Sequence, residues 1–183
     1  MRTLNVTPLL TRGPPQLAAK HFRLEDEDGF VKETSVNIRI ANAEDADSLV
    51  EFNQAMALET EGKRLDAATL SMGVAAVFGD GKKGFYVVAE TDDRIVGGLM
   101  VTYEWSDWRA SWFWWIQSVY ILPEARGQRV YSRLYDFVKA RATEAGNVCG
   151  FRLYVENDNF HAQKVYDRVG MHASHYLMYE ENV

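Results

Sequence analysis

The thirteen residues from Val119 to Tyr131, Val-Tyr-Ile-Leu-Pro-Glu-Ala-Arg-Gly-Gln-Arg-Val-Tyr, hold the parts of an anion site. An apolar stretch stops at Pro123. A turn follows with Gly127 between Arg126 and Arg129, and helical spacing begins at Val130. The N–H groups of a helix's first turn have no partner inside the helix, and the helix dipole adds positive potential there, so a phosphate suits the place. A plain strand-to-helix connection fits the same residues, since one Gly and two Arg are ordinary in such loops. Covalent catalysis finds no Ser-His-Asp or Cys-His arrangement. His172 and His175 lie an odd number of positions apart, so on a strand they face opposite sides and form no metal pair. His161 reads as a surface residue and Cys149 as a small buried apolar one. No metal site is expected.

The elements that must position these residues follow from spacing. Val36–Ile40 alternates as a strand. Asn42 with Asp45 three residues on is a capping-box start, and Ala46, Leu49, Val50, Asn53, Met56 and Ala57 carry helical spacing. A second helix starts at Asp66, with Leu65 and Leu70 as a hydrophobic staple and Gly79 as its end. Phe85–Glu90 and Ile95–Trp105 read as a hairpin turning at Asp92-Asp93. Trp112–Leu122 is a long aromatic strand, and the helix after Gly127 buries Val130, Leu134, Phe137 and Val138 and stops at Gly146. Phe151–Val155 alternates as a strand. Asn159 caps a helix carrying Ala162, Val165, Tyr166 and Val169, which Gly170 closes, and Ala173–Glu180 reads as a last strand. The order β-α-α-β-β-β-α-β-α-β predicts an α/β fold with a mixed, mostly antiparallel twisted sheet and helices on both faces.

Composition sets outer bounds. In 183 residues, 47% are apolar and 25% charged, enough for a core and against wholesale disorder. The net charge of −6 makes a nucleic-acid partner a poor expectation. A single cysteine rules out an internal disulfide or a thiolate cluster. The longest apolar runs are too short to span a bilayer, so no membrane partner is expected. Residues 1–24 hold no Asp or Glu and carry Arg2, Arg12, Lys20 and Arg23. Such a start is like a transit peptide, but it lacks a continuous apolar region and Pro14-Pro15 interrupts an amphipathic helix. A cytoplasmic location is expected. Residues 1–34 read as an N-terminal arm, with Glu25–Gly29 a solvated turn, and 35–183 as one domain. An arm without its own core needs a surface, either its own domain or a second subunit, and a homodimer that partly buries the arm or the tryptophan-rich strand is expected.

From about Val36 onward the chain resembles the Gcn5-related N-acetyltransferase superfamily. That family's diphosphate motif, Gln/Arg-x-x-Gly-x-Gly/Ala after a Val-x-Val-like strand and often a Pro-Glu, is matched by Val119-Tyr120-Ile121, Pro123-Glu124 and Arg126-Gly127-Gln128-Arg129-Val130-Tyr131. Arg129 stands where the motif has a glycine, and Tyr131 where it has a small residue. The second signature, Asn-x-x-Ala-x-x-x-Tyr-x-x-x-Gly-Phe/Met, is present as Asn159, Ala162, Tyr166, Gly170 and Met171. Tyr103 to Trp108, running on to Tyr120–Pro123, is similar to polyamine and thialysine acetyltransferases, which carry an acidic pair where this chain has Gln117 and Ser118.

The resemblance implies an acyl-CoA N-acyltransferase fold and an enzyme that moves acetyl from acetyl-CoA, a co-substrate, directly to the primary amine of a small molecule. It implies that the backbone of Val119, Tyr120 and Ile121 takes the pantetheine arm and polarises the thioester oxygen. Arg126, Gly127, Gln128, Arg129, Val130 and Tyr131 would wrap the diphosphate, and Asn159 would orient the cofactor. Tyr166 becomes the expected general acid, although its spacing alone fits plain packing. Glu104 is the expected catalytic carboxylate, with Asp107, Glu59 in the loop between the first two helices, or a water chain as other bases. Five tryptophans within residues 105–115 make the strand a core or subunit interface, with one or two available to cradle a cation. Two alternatives stand beside the small-amine enzyme: a CoA-binding regulatory module with weak or no catalysis, motivated by Arg129 and Tyr131, and a protein or peptide N-acetyltransferase.

Overall fold

A computed structural model describes residues 21–25, 31–92 and 94–181. Strands β1 (His21–Glu25) and β2 (Val31–Ser35) pair antiparallel as a two-stranded sheet within the region read as an arm. The rest of that region, including the acidic turn 26–29, lies outside the described residues.

The main sheet has five strands in the order β3 (Asn37–Ile40), β4 (Phe85–Thr91), β5 (Arg94–Ser106), β6 (Ser111–Ile121) and β7 (Val148–Arg152). Neighbours are antiparallel except β6 and β7, which run parallel because a helix joins them. Helices α1 (Ala46–Glu61) and α2 (Ala67–Gly79) cover part of one face, where Ala41, Leu49, Val74, Val77, Tyr86 and Val88 form a core. Helix α3 (Val130–Ala145) covers the other face, with Leu134 and Val138 against Val87, Leu99, Val101, Trp114 and Ile116. Between the two cores β4 is enclosed on both sides, so Val87, Val88 and Ala89 run without polar alternation. Helix α4 (Phe160–Arg168) follows β7.

The predicted caps form. Asn42 accepts from Glu44 N–H and Asp45 accepts from Asn42 N–H, each at 2.8 Å, and the resulting 3-10 turn leads into α1. Arg39 on β3 then grips Asp45 at 2.7 Å and Glu90 on β4 at 3.3 Å, tying sheet to helix start. Gly98 lets α1 approach, because a Cβ there would stand 3.3 Å from both a Leu49 methyl and the Val87 carbonyl oxygen.

Four expectations are corrected. The strand placed at Phe151–Val155 is β7, which starts earlier and ends at Arg152, where its pairing with β6 stops. Residues 173–180 form no strand, and Tyr176, Leu177 and Tyr179 are exposed; β-propensity needs a neighbouring edge to pair with, and among the described residues the segment meets none. Cys149 is exposed rather than buried: Trp112 pairs with Val148 and Phe113 with Gly150, so the extra residue Cys149 is turned out of the ladder. Glu59 belongs to α1 itself, which runs on to Glu61 and closes at Gly62 with φ 64°.

Candidate active site

Strand β6 changes its character at Ser118. Met100 pairs with Gln117 and Gly98 with Tyr120, so Ser118 and Val119 together oppose Leu99 in a β-bulge, with Ser118 at φ 49°. The bulge reverses the alternation. Before it, Trp112, Trp114 and Ile116 face α3; after it, Val119 and Ile121 do, and Tyr120 points to the α1 side. The ladder to β7 has already ended at Trp115 opposite Arg152. From Ile116 to Ile121 the two strands have parted, leaving one edge of β6 open beside Val119, Tyr120 and Ile121. Backbone N–H and C=O groups on such an edge lack strand partners and can take an amide-bearing chain, except the Ile121 carbonyl, which Arg126 occupies.

This opening leads to the start of α3. A 3-10 turn at Pro123–Ala125 reverses the chain, Gly127 takes φ 76° and Arg129 φ 60°. Arg129 therefore holds the left-handed backbone that a glycine would supply, with its side chain exposed, at a cost of about 1–2 kcal/mol. It is the N-cap of α3 and offers no side-chain cap, so the helix's first N–H groups are left for an anion. Gln128 spends its amide on the Glu124 carbonyl at 2.9 Å, which fixes the turn. Val130 and Tyr131 are buried beneath it.

Arg126 is already engaged. Its Nε donates to the Ile121 carbonyl at 2.9 Å and its Nη2 meets Glu59 at 2.7 Å, while the guanidinium lies 5.4 Å from the Tyr120 ring centre. The Tyr120 hydroxyl donates to the other Glu59 oxygen at 2.7 Å. That hydrogen bond, with Arg126 beside it, holds the Glu59 carboxyl below the usual carboxylate range.

Tyr166 arrives from α4. Asn159 caps that helix by accepting from Ala162 N–H at 3.0 Å, and Tyr166 then meets Tyr131 edge to face, ring centres 5.4 Å apart. Burial pushes the Tyr166 phenol above its ordinary value, so at neutral pH it is a proton donor. Tyr131 stacks on Tyr135, is only 6% exposed, and carries the one buried side-chain polar atom without a partner among the described residues, its hydroxyl. A buried phenol left unpaired is unfavourable, and its place beside the motif helix suits a site that a ligand completes.

Glu104 sits elsewhere, on the α1 side of the sheet below the helices. One oxygen takes Arg152 Nη1 at 2.6 Å and the other takes Trp115 Nε1 at 2.5 Å. Arg152 lies over the Phe113 ring at 3.8 Å and Arg109 over the same ring at 5.1 Å. Gln117 donates to Thr102 at 2.6 Å. Asp107 accepts from Trp108 N–H at 2.9 Å and shapes the β5–β6 turn. The sequence marks Ser118 only as a position without an acidic residue, and it does not single out Arg152. An arginine in an alternating strand and a serine within an aromatic one carry no signal of a pair or a bulge; only the register reveals them.

The comparisons with known proteins agree with this geometry. The model of the acetyltransferase (GNAT) family matches residues 46–171. A possible acetyltransferase from Clostridium difficile 630 is 42% identical, with TM-score 0.76 over 81% of this chain and 97% of that one. A transcriptional regulator from Bacillus halodurans C-125 is 25% identical, with TM-score 0.70 over 80% and 99%. A predicted acetyltransferase from Clostridium acetobutylicum, solved with acetyl-CoA, shares the fold at 16% identity and TM-score 0.66 over 80% and 96%. No curated protein matches the chain. With its family motif lying across the open edge of β6 and the start of α3, and with a matched span covering most of the described domain, this chain belongs to the acetyltransferase (GNAT) family and is an N-acetyltransferase.

Proposed function

We propose that the chain transfers acetyl from acetyl-CoA to the primary amine of a small molecule by direct attack. The observation that carries this reading is the continuity of the open β6 edge with the uncapped start of α3. One end suits an amide-bearing arm and the other a diphosphate. Acetyl-CoA supplies the activated acyl group. The backbone at Val119–Ile121 holds the arm and the acyl oxygen. The turn from Arg126 to Tyr131 holds the diphosphate. Arg129 supports that role, because it keeps the glycine-like backbone while its side chain stays outside. Tyr166 gives the proton that the departing sulfur needs. Asn159 acts as the cap that sets the direction of α4. Glu104 helps form the floor on which the acceptor lies; to take a proton it would first have to give up Arg152 or Trp115. We infer a cytoplasmic homodimer in which a second copy covers the exposed Tyr176–Tyr179 segment and Trp108.

The test is release of free thiol from acetyl-CoA across a panel of small amines and peptides. Turnover with small primary amines is expected. Turnover confined to peptides would move the acceptor class, and CoA binding without any turnover would favour a regulatory module. Light scattering at high concentration should give twice the chain mass, and a monomer would remove the dimer.

A further inference from the structure

Glu59 and Arg126 are 67 positions apart, yet their charged groups meet at 2.7 Å, between the helix on the α1 face and the turn that opens α3. Glu59 also accepts from the Tyr120 hydroxyl, so its carboxylate stands one tyrosine's length above the open edge of β6. The pair is half-exposed on both sides, 43% and 46%, so water reaches it and its exchange for other partners is inexpensive. Arg126 thus has two claims on it: the Glu59 carboxylate in front, and any anion seated on the N–H groups just behind it.

We propose that Glu59 is the carboxylate that receives the acceptor's ammonium group, and that Arg126 occupies it until the diphosphate of the cofactor draws the guanidinium away. This rests on the reading that the 126–131 turn binds a diphosphate. Two features of the geometry support it. The first is position. Tyr120 lies in the stretch whose backbone is assigned to the acyl group, and its hydroxyl fixes one Glu59 oxygen toward that stretch. The second is charge balance. With Arg126 turned to a diphosphate, Glu59 is left ionised with only a neutral phenol as partner, a strong acceptor for a cation. Another carboxylate on this face, Glu104, is held by Arg152 and by an indole N–H and keeps its own cation. The arrangement frees Glu59 for a cation only once the turn behind Arg126 is occupied.

The experiment needs no knowledge of the acceptor. S-(2-aminoethyl)-CoA carries an ammonium close to where an attacking nitrogen would stand, and S-(2-hydroxyethyl)-CoA is its neutral counterpart. Calorimetric affinities of both, and of CoA, are measured on the wild-type chain and on Glu59→Gln, Glu59→Asp and Arg126→Gln. The wild type should prefer the aminoethyl form about tenfold or more, as expected for a charge-assisted hydrogen bond. Glu59→Gln should lose that preference to within about twofold while binding CoA about two- to fivefold tighter, because Arg126 is released. Glu59→Asp should keep part of the preference. Arg126→Gln should keep it while weakening CoA. A preference that survives Glu59→Gln, or none in the wild type although CoA binds, overturns this inference and leaves the proposed function standing. Failure of CoA to bind the wild type overturns both.

Discussion

The two faces of β6 use similar residues for opposite ends. Toward α3, Trp114 and Ile116 are buried in one cluster with Leu134 and Val138, Trp112 is partly buried against it, and the rings of Phe85 and Tyr103 pack on Trp112 and Trp114. Toward the α1 side, Phe113 and Trp115 carry Arg109, Arg152 and Glu104 instead. Each strand face is rich in aromatic rings, and what differs is the cover. Helix α3 lies along one face, whereas α1 and α2 stop short on the other. Covered rings contribute through the area they remove from water. Uncovered rings keep charged groups over their faces, where cation–π contact and hydrogen bonding fix a guanidinium without desolvating it fully. One sequence pattern therefore yields a buried core on one side and a partly exposed, charge-bearing surface on the other.

Breaking that contrast at its reactive edge has the largest expected effect. Tyr166 packs with the covered face but ends in a free phenol. Tyr166→Phe should lower kcat by roughly 10²–10⁴-fold while acetyl-CoA affinity stays within about twofold. Steady-state kinetics beside calorimetry reads both, and full kcat with chemistry rate-limiting would return Tyr166 to the core. Next comes the contrast itself. Trp114→Ala should destabilise by about 3–5 kcal/mol, the range for a large ring lost from a packed core. Trp115→Ala, on the uncovered face, should cost about 1–2 kcal/mol. Denaturant midpoints at unchanged m-value measure the difference, and equal losses would erase the distinction between the faces.

A smaller effect belongs to the covered end of the α1 face. Asp45 is only 5% exposed, and its hydrogen bonds to Arg39 lower its pKa in the folded chain. A carboxyl with a depressed folded value adds stability that is complete above its unfolded value, about 3.9, and is lost as pH falls through the folded one. Arg39→Met should destabilise by about 1–3 kcal/mol at neutral pH and flatten the acid limb of the stability curve. Melting temperatures from pH 7 down to 3 test both parts. The smallest effect is at Arg129. Its left-handed backbone is strained for any side chain, so Arg129→Gly should stabilise by about 1 kcal/mol, with CoA affinity changed less than about tenfold. Restoration of CoA binding to a chain that otherwise lacks it would turn this smallest effect into the decisive one.

Local signals in the sequence located most of the elements. Asn42 and Asp45 announced the entry to α1, Asp66 the start of α2, and Gly146 the end of α3, because caps are written in neighbouring residues. The family motifs likewise placed Arg126–Tyr131 and Tyr166 on one turn and one helix. The C-terminal segment misled for the same local reason: its residues favour a strand, but a strand is a relation between two segments, and propensity sees one. Cys149 misled because a one-residue slip in register changes which way a side chain points.

The sequence by itself determined the order of helices and strands from Asn37 to Arg168, the turn with its two arginines, and the phenol four residues past an alanine. These depend on contacts within a few positions along the chain. The tertiary structure alone decided that Ser118 bulges and so sends Tyr120 to the α1 side, against the strict alternation of its strand. It alone decided that β7 leaves β6 at Trp115, that Glu104 is taken by Arg152, and that Glu59 meets Arg126. Each of those outcomes depends on register, on strand splay, or on two groups dozens of residues apart. Such quantities are set by how whole elements fill the space between them, which no short window of sequence contains.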